Sequence, residues 1–227
     1  MATTDQLVDR AKVILSRTND SSLNAKVITQ LQAAQERLED EAWLPDFLYA
    51  RQSVATINTH QYDLDVTLTR FIRLHDRAGG IRWQNLVNPP TPDETYVKLK
   101  RYDELEQLLQ LFPGDLSVGG GLGGYFLVDR LLVLRPKPTV TAVIPNLEFN
   151  FYQAEATLPT AGNSTLWTQR AADYLLGEAG LILAQTLRDK DALGLFQGLR
   201  AAGKARLIKR SQGDEQADQE YIMGDRD

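Results

Sequence analysis

The stretch SVGGGLGGYFLVDR (Ser117–Arg130) decides between two fold classes, because its glycines include the spacing GxGxxG of a dinucleotide-binding loop. That motif holds a pyrophosphate only where a strand precedes it and a helix follows it. Here the turn-rich segment FPGDL (112–116) precedes the glycines, and β-forming residues follow them. The stretch therefore indicates a surface loop that leads into a strand over 125–134. In such a loop, glycines mostly lower the cost of unusual backbone dihedrals.

Composition excludes several classes of protein. A chain of 227 residues with 43% hydrophobic residues can bury one sizeable core, or one core and a small appendage. A net charge of −5 argues against a protein that grips nucleic-acid phosphates. The chain has no cysteine, which excludes disulfides and thiolate zinc sites. The N-terminus has no signal-peptide pattern, and no apolar run approaches the roughly 20 residues of a membrane span. We therefore expect a soluble protein made in the cytoplasm, with no membrane contact.

Residues 1–48 predict a helical hairpin. Thr4 is expected to cap the first helix and Ser22 the second, because both precede runs with apolar residues every three or four positions. Trp43-Leu44-Pro45 ends the hairpin, since proline disfavours helix in the residue before it.

Residues 49–160 predict an antiparallel, β-rich region that contains a short helix and the glycine loop. Residues 71–76 and 81–83 alternate in character around Ala78-Gly79-Gly80, which predicts a β-hairpin. Residues 93–111 predict the short helix, with an inward-facing set of four leucines: Leu99, Leu105, Leu108 and Leu109. The run 139–156 predicts a long strand with Val143, Leu147, Phe149 and Phe151 as its apolar residues.

Residues 161–210 predict the helices that complete the bundle. One helix runs from about Asn163 to Leu187 and has apolar residues on several faces, including Trp167 and Tyr174. An apolar surface this wide is usually buried on more than one side, so both aromatic residues are expected in core or ring packing. A further helix follows Asp189 and Asp191, with Leu195, Leu199 and Ala202 as its apolar stripe.

Residues 211–227 predict an extended C-terminal arm. The segment has six acidic residues against Arg226 alone, and too little apolar surface to fold by itself. The predicted fold class is therefore α+β: a helical bundle built from N- and C-terminal helices, with an inserted antiparallel β-rich region and an extended arm.

The search for catalytic chemistry finds few candidates. The two histidines, His60 and His75, fit no metal-binding spacing, and the motifs GxSxG, SxxK and GxxxxGK[ST] do not occur. Asp63 and Asp65 would share one strand face, as metal-binding carboxylates or as a solvated face. The basic run 204–210 could touch a phosphate, but it also fits the last turns of a helix, where cations complement the helix dipole. The sequence thus predicts no catalytic, cofactor-binding or metal-binding residue and no cofactor.

Several short features in order resemble a known family. They are WLPDF (43–47), YDEL (102–105), GYF (124–126), LVLRPKP (132–138), FNFY (149–152), Leu158-Pro159, NSTLW (163–167) and YLLGEAG (174–180). This order is similar to that of the tailed-bacteriophage head-to-tail adaptor, or connector, proteins, over roughly residues 1–210. The loop GGGLGG is longer and richer in glycine than the family pattern.

The resemblance implies a structural virion protein without catalysis, assembled in the host cytoplasm. It implies a homo-oligomeric ring of twelve copies below the portal protein, with tail or nozzle proteins on the other side. Viral DNA would pass through the channel without specific binding, which agrees with the acidic charge. Tyr221-Ile222-Met223, an apolar triplet in the acidic arm, is expected to dock on the portal or on a neighbouring subunit, with a solvated chain end as the alternative.

Three alternatives remain open at this point. The chain has a layout that would also serve another virion part, such as a tail tubular or head-completion protein. A metal-dependent enzyme would use Asp63, Asp65 and His75, and a ligand-binding module would use the glycine loop.

Overall fold

The computed structural model describes residues 2–55, 61–75, 80–84, 96–113, 123–135, 146–160, 162 and 164–224. These residues form seven α-helices and nine β-strands, which confirms the predicted α+β class. The chain divides into two compact units. The helical unit consists of Met1–Leu48 and Glu155–Asp227, and the β-rich unit is the inserted segment Tyr49–Ala154.

The helical unit contains five helices of the sequence-predicted hairpin and C-terminal region. They are α1 (Thr4–Ile14), α2 (Leu23–Glu39), α5 (Leu166–Arg170), α6 (Ala172–Leu187) and α7 (Lys190–Gly224). A 3-10 turn over Asp46–Leu48 follows the hairpin. Two helix starts are capping boxes, in which Thr3 pairs with Gln6 and Thr165 pairs with Thr168. Side-chain oxygens there accept from backbone N–H groups that would otherwise lack partners at a helix start.

Glycines let α6 and α7 approach each other closely. A Cβ atom on Gly177 would lie 2.4 Å from the backbone nitrogen of Arg200, and one on Gly203 would lie 2.5 Å from that of Tyr174. A Cβ atom on Gly180 would fall within the ring of Phe196. Backbone atoms cannot yield at such distances, so only glycine fits at Gly177 and Gly203 without separating the helices.

The β-rich unit consists of two sheets. Its strands are β1 (Tyr49–Ala55), β2 (Gln61–Asp63), β3 (Phe71–Leu74), β4 (Ile81–Gln84), β5 (Tyr96–Lys98), β6 (Lys100–Tyr102), β7 (Gly124–Val128), β8 (Leu131–Arg135) and β9 (Asn146–Gln153). Two short helices, α3 (Leu64–Thr67) and α4 (Leu105–Leu111), connect them. One sheet has the order β1-β9-β4-β5 with β3 also paired to β9, and the other has the order β2-β8-β7-β6.

The core of the β-rich unit lies between the inner faces of these sheets. The predicted apolar residues Leu147, Phe149 and Phe151 of β9 are all buried in this core, and the polar residues Glu148 and Asn150 between them are buried as well. From the other sheet, Tyr62 meets Phe149 edge-on with ring centroids 6.5 Å apart. The apolar residues follow the period of two of a strand, so the prediction of a strand here is confirmed for residues 146–153. Val143 lies outside the described residues.

The predicted hairpin of residues 71–76 and 81–83 is wrong. Strands β3 and β4 do not pair with each other; both run antiparallel to β9, one after the other along the same side of it. Asn150 of β9 accepts from the backbone N–H of His75 at 2.9 Å and donates its own N–H to the carbonyl of Gly80 at 2.8 Å. The backbone of Asn150 thus binds both His75 and Gly80, which flank residues 76–79. Those four residues lie outside the described part of the structure.

Two further predictions for the β-rich unit need correction. The helix predicted over 93–111 covers only α4, because Tyr96–Lys98 pairs with β4 and Lys100–Tyr102 pairs with β7 instead. The strand predicted over 125–134 is a hairpin of β7 and β8, which turns at Asp129 with a φ of 50°. Aspartate tolerates this left-handed conformation better than most residues do.

Most of the glycine loop, residues 117–122, lies outside the described residues. Gly123 and Gly124, the last two glycines of the loop, are explained by close contacts and not by an unusual backbone conformation. A Cβ atom on Gly124 would lie 2.6 Å from the carbonyl oxygen of Lys100, its neighbour in the parallel β6–β7 pair, and one on Gly123 would overlap the Phe112 ring.

The two predictions for α7 also change. Its buried stripe is Ala192, Phe196, Gly203 and Leu207, whereas the predicted stripe is largely exposed, with Leu195 58% exposed. The helix also continues through Gly224, so the arm predicted as extended from residue 211 is helical up to that residue. Glutamine and glutamate make up five of the fourteen residues 211–224, and both have high helix propensity, which favours continuation.

Candidate functional site

Trp167 is the centre of the helical unit. Its side chain is fully buried, and its Nε1 donates to Glu39 Oε1 at 2.8 Å. Phe47 meets the indole edge-on, with ring centroids 5.2 Å apart. Trp167 is thus buried through contacts within one chain.

Three polar side chains of α2 hold the segment that leads into α5. Gln35 donates to the carbonyl of Ala156 at 3.2 Å and accepts from the N–H of Leu158 at 3.2 Å, and Gln32 donates to the Leu158 carbonyl at 2.8 Å. Glu39 accepts from the N–H of Glu155 at 3.2 Å. The irregular segment 155–158 pairs with no strand among the described residues of the helical unit. These side chains therefore satisfy its backbone hydrogen-bonding groups.

Burial dominates the electrostatics of Glu39. It raises the pKa of this carboxyl above its ordinary value, although hydrogen bonds from Gln35, Trp167 and the Glu155 N–H partly offset the effect. Glu39 is buried, and its three donors are the Gln35 amide, the Trp167 indole and the Glu155 backbone N–H. All three belong to the packed helical unit, so Glu39 has a structural role.

Tyr174, the second predicted packing residue, belongs to a network of charges along α6 and α7. Its hydroxyl donates to Glu41 Oε2 at 2.8 Å, and Glu41 also accepts from Lys204 at 2.6 Å and from Arg200 at 3.0 Å. Arg200 Nε lies 2.6 Å from Glu178 as well. The network clamps the end of α2 to both long helices.

The pKa values of this network shift in opposite directions. Burial and the hydrogen bond and charge of Glu41 raise the pKa of the Tyr174 hydroxyl. Burial alone would raise the pKa of Glu41, but the hydrogen bonds from Lys204 and Tyr174 and the charges of Lys204 and Arg200 lower it overall. Glu41 is therefore held as an anion, which suits a clamp rather than a proton-transfer group.

Part of the basic run 204–210 serves the same packing. Lys204 pairs with Glu41, and Arg206 pairs with Asp173 at 2.6 Å, where Arg10 also donates to Asp173 at 2.7 Å. Burial by itself would raise the pKa of Asp173, yet these two arginines lower it. The run thus has structural partners in the helical unit.

The hypothetical metal site is not assembled. Asp63 caps α3 by accepting from the N–H of Asp65, and Asp65 forms an ion pair with Arg130. His75 follows β3 of the other sheet and lies between the rings of Tyr49 and Tyr152. Across the described ranges, no group of three or more metal-ligating side chains forms a cluster. His60 lies outside those ranges.

The exposed apolar surface of the helical unit is a groove between α1 and α7. It has a volume of about 620 Å³, and it is lined by Asp9, Arg10, Val13, Ile14, Leu195, Gly198 and Leu199. Val13 is 61% exposed and Leu195 is 58% exposed, which is unusual for branched apolar side chains on neighbouring helices. Such a groove fits the side chains of another helix or of another chain.

A surface of small residues continues from the groove along the outer side of α7. We call it the small-residue face; it comprises Gly194, Gly198, Ala201, Ala202 and Ala205, all exposed. A Cβ atom on Gly194 or Gly198 would meet nothing within 4 Å, in contrast to the glycines of the α6–α7 contact. Sequence reasoning missed this face, although the spacing of four between Gly194 and Gly198 could have indicated it.

The predicted docking triplet, Tyr221-Ile222-Met223, lies in the last turns of α7. The side chains of residues 212–224 are outside the described part of the structure. The helical backbone nevertheless changes the geometry of the hypothesis, because three consecutive residues of a helix point in different directions and only two of them can share a face.

Comparisons with protein-family models and with curated proteins find no match for this chain. Among the residues that the structure describes, none of the helices combines the length and the apolarity needed to span a bilayer.

Proposed function

We propose that the chain is a structural virion protein, a ring-forming adaptor between the portal and the tail of a bacteriophage. The observation that supports it best is the organisation of the helical unit. Helices from both chain ends form one compact unit, and the β-rich unit is inserted between them. This is the order of elements that the adaptor-like sequence features imply.

The surface of the helical unit is a second support. An exposed apolar groove and the small-residue face offer contact surface, and they contain no buried ionisable group directed at a cavity. Surfaces of this kind are typical of proteins that assemble. The net charge of −5 also favours a channel through which DNA passes over one that retains it.

One argument for a ring becomes weaker. The apolar faces of α6 are already covered within the chain, because Leu175, Leu176 and Ala179 are all buried there. The wide apolar surface of this helix therefore needs no neighbouring subunit, and the proposal rests on the organisation and on the exposed surfaces instead.

Electron microscopy of the purified protein, alone and mixed with the portal protein of the same bacteriophage, tests the proposal. We expect rings of twelve subunits seated on the portal. Rings that ignore the portal but bind tail proteins would favour a tail tubular protein. A chain that forms no ring and binds neither partner would remove the virion proposal.

Truncation tests the portal-docking role of the C-terminal segment. A chain ending at residue 210 should keep its melting temperature and lose attachment to the portal, since Leu207 is the last buried residue among those of α7 whose side chains the structure describes. A matched control replaces Tyr221, Ile222 and Met223 with serine in the full-length chain. If the truncated chain still binds portal rings at the same concentration, the docking role must be abandoned.

A further inference from the structure

Packing within the chain does not explain the two glycines of the small-residue face. Glycine costs about 1 kcal/mol relative to alanine in a helix interior, and Gly194 and Gly198 repay none of that through internal packing. Of the seven exposed residues between Gly194 and Ala205, five are glycine or alanine, and only Leu195 and Gln197 have longer side chains. Solvent-facing helix surfaces normally carry long polar residues.

The groove beside this face adds exposed apolar side chains to the same surface. Leu195 and Val13 project at its edge, and Gly198 forms part of its floor. A projecting side chain and a depression thus lie one turn apart on the same helix.

Opposite charges stand at the two ends of the small-residue face. Asp191 precedes it and Lys209 follows it, and both are exposed. The two residues are 18 positions apart, which is five turns, so they point in the same direction about 27 Å from each other. Neither has an ion-pair partner within the part of the chain that the structure describes, and they are too far apart to pair along one helix.

An antiparallel second copy would satisfy this arrangement. The midpoint between Asp191 and Lys209 is residue 200, and Gly198 and Ala202 lie symmetrically about it. If two α7 helices cross there in opposite directions, each Asp191 meets the partner's Lys209. Each Gly198 then meets the partner's Ala202, which allows the backbones to approach closely.

We infer that the small-residue face binds a second copy of this chain, with the two α7 helices antiparallel and crossing near residue 200. Leu195 of each copy then lies at the level of the partner's Ala205. This contact is two-fold, whereas a closed ring with one subunit per position uses head-to-tail contacts. It therefore belongs to the free subunit before assembly and goes beyond the proposed function.

Charge exchange tests the inference on the full chain without any portal. Asp191→Lys places two lysines on the face, and Lys209→Asp places two aspartates there, so each variant alone forms like-charge pairs across the two-fold axis. We expect sedimentation velocity to show dimers for the wild type and a dissociation constant raised about tenfold or more for each single variant. An equimolar mixture of the two variants should form heterodimers, and the double variant should dimerise like the wild type.

Controls separate the contact from effects on folding. Gln197→Lys adds a charge on a different, exposed side of α7 and should leave dimerisation unchanged. Gly198→Arg fills open space in the single chain, so it should keep the fold but abolish the dimer.

Three results would overturn the inference: a wild-type chain that stays monomeric at every accessible concentration, single variants that dimerise normally, or a mixture that fails to pair. Rings without two-fold dimers would overturn this inference and leave the proposed function standing. Dimers that never form rings on a portal would support this inference and overturn the proposed function.

Discussion

The two sides of α7 use glycine in opposite ways. On the inner side, Gly203 is surrounded by the backbone of Tyr174, and a single methyl group would push the helices apart. On the outer side, five residues earlier, Gly198 has open space around it. The same residue type is explained in one case by a contact within the chain and has no internal explanation in the other. The comparison teaches that a helix glycine without a neighbour directs attention to a contact outside the chain.

The largest effect on the inner side is expected from Trp167→Ala. Removal of a fully buried indole leaves a cavity and frees Glu39 of one donor, so the free energy of unfolding should fall by about 3 to 5 kcal/mol. Chemical denaturation measures it. Trp167→Phe is the matched control, because it keeps most of the ring and removes the donor; it should cost clearly less. A near-neutral Trp167→Ala would contradict the central position of this residue.

The inner contact of α7 itself is tested by Gly203→Ala. The new methyl group would lie 2.5 Å from a backbone nitrogen and 2.8 Å from a Cα atom of Tyr174, neither of which can move aside without shifting α6. We expect a loss of about 1 to 3 kcal/mol in the free energy of unfolding. An unchanged midpoint in urea would mean that the helices are further apart than the structure has them.

The helices of the bundle could be predicted from the sequence, because apolar residues recur every three or four positions in α1, α2 and α6, but their starts could not. Thr3 caps α1 instead of the predicted Thr4, and the side chain of Ser22 makes no cap bond at α2. The single helix predicted through Leu187 is interrupted at Ala171, which separates α5 from α6. For α7 the same method chose the wrong stripe. Leu195 and Leu199 are larger than Ala192 and Gly203, but the buried side was decided by how closely α6 approaches, and single-sequence periodicity contains no information about a neighbouring backbone.

The pairing partners in the β-rich unit could not be predicted locally. Residues 71–84 have the turn glycines of a hairpin, yet both flanking strands pair with β9, about 70 residues later in the chain. Strand pairing over such separations is decided by the whole core, whereas turn signals report on four or five residues. The networks of Glu39 and Glu41 escaped prediction for the same reason, because their partners come from distant helices.

The clamp between the inner helices is tested by Glu41→Gln. The variant removes the charge that faces Lys204 and Arg200, and we expect a loss of about 1 to 2 kcal/mol at neutral pH, since these groups are partly exposed. Because the folded state lowers the pKa of Glu41, its contribution is present above the ordinary value of 4.5 and is lost as the pH falls through the folded pKa. The wild type and the variant should therefore converge in acid.

Glu36→Gln provides a control for that experiment, since Glu36 is an exposed residue of α2. It should change the stability little at any pH. A Glu41→Gln curve that runs parallel to the wild-type curve down to low pH would show that the clamp adds no net stability.

The outer side of α7 is tested by Gly198→Ala, for which we expect the opposite sign to Gly203→Ala. The methyl group enters open space, and the helix gains about 1 kcal/mol in the free energy of unfolding from the better propensity of alanine. The measurement requires dilute protein, because association with a second copy would make the apparent stability depend on concentration. A destabilised Gly198→Ala monomer would place the outer side in the same class as the inner side and remove the comparison.

The smallest expected effect is a difference in pH dependence between the wild type and Glu39→Gln. Burial raises the pKa of Glu39 in the folded state, so this group stabilises the fold most at low pH and loses that contribution as the pH rises from 4.5 through the folded pKa. Glutamine cannot ionise, but its carbonyl still accepts from Trp167 and from the Glu155 N–H. Unfolding in urea at several values between pH 4.5 and 7.5 should show the wild type losing stability relative to the variant, by less than about 1 kcal/mol in total, because three hydrogen bonds partly offset the effect of burial. A constant difference across this range would mean that the hydrogen bonds around Glu39 fully offset its burial, and that the inner side of the unit tolerates a charge as readily as the outer side does.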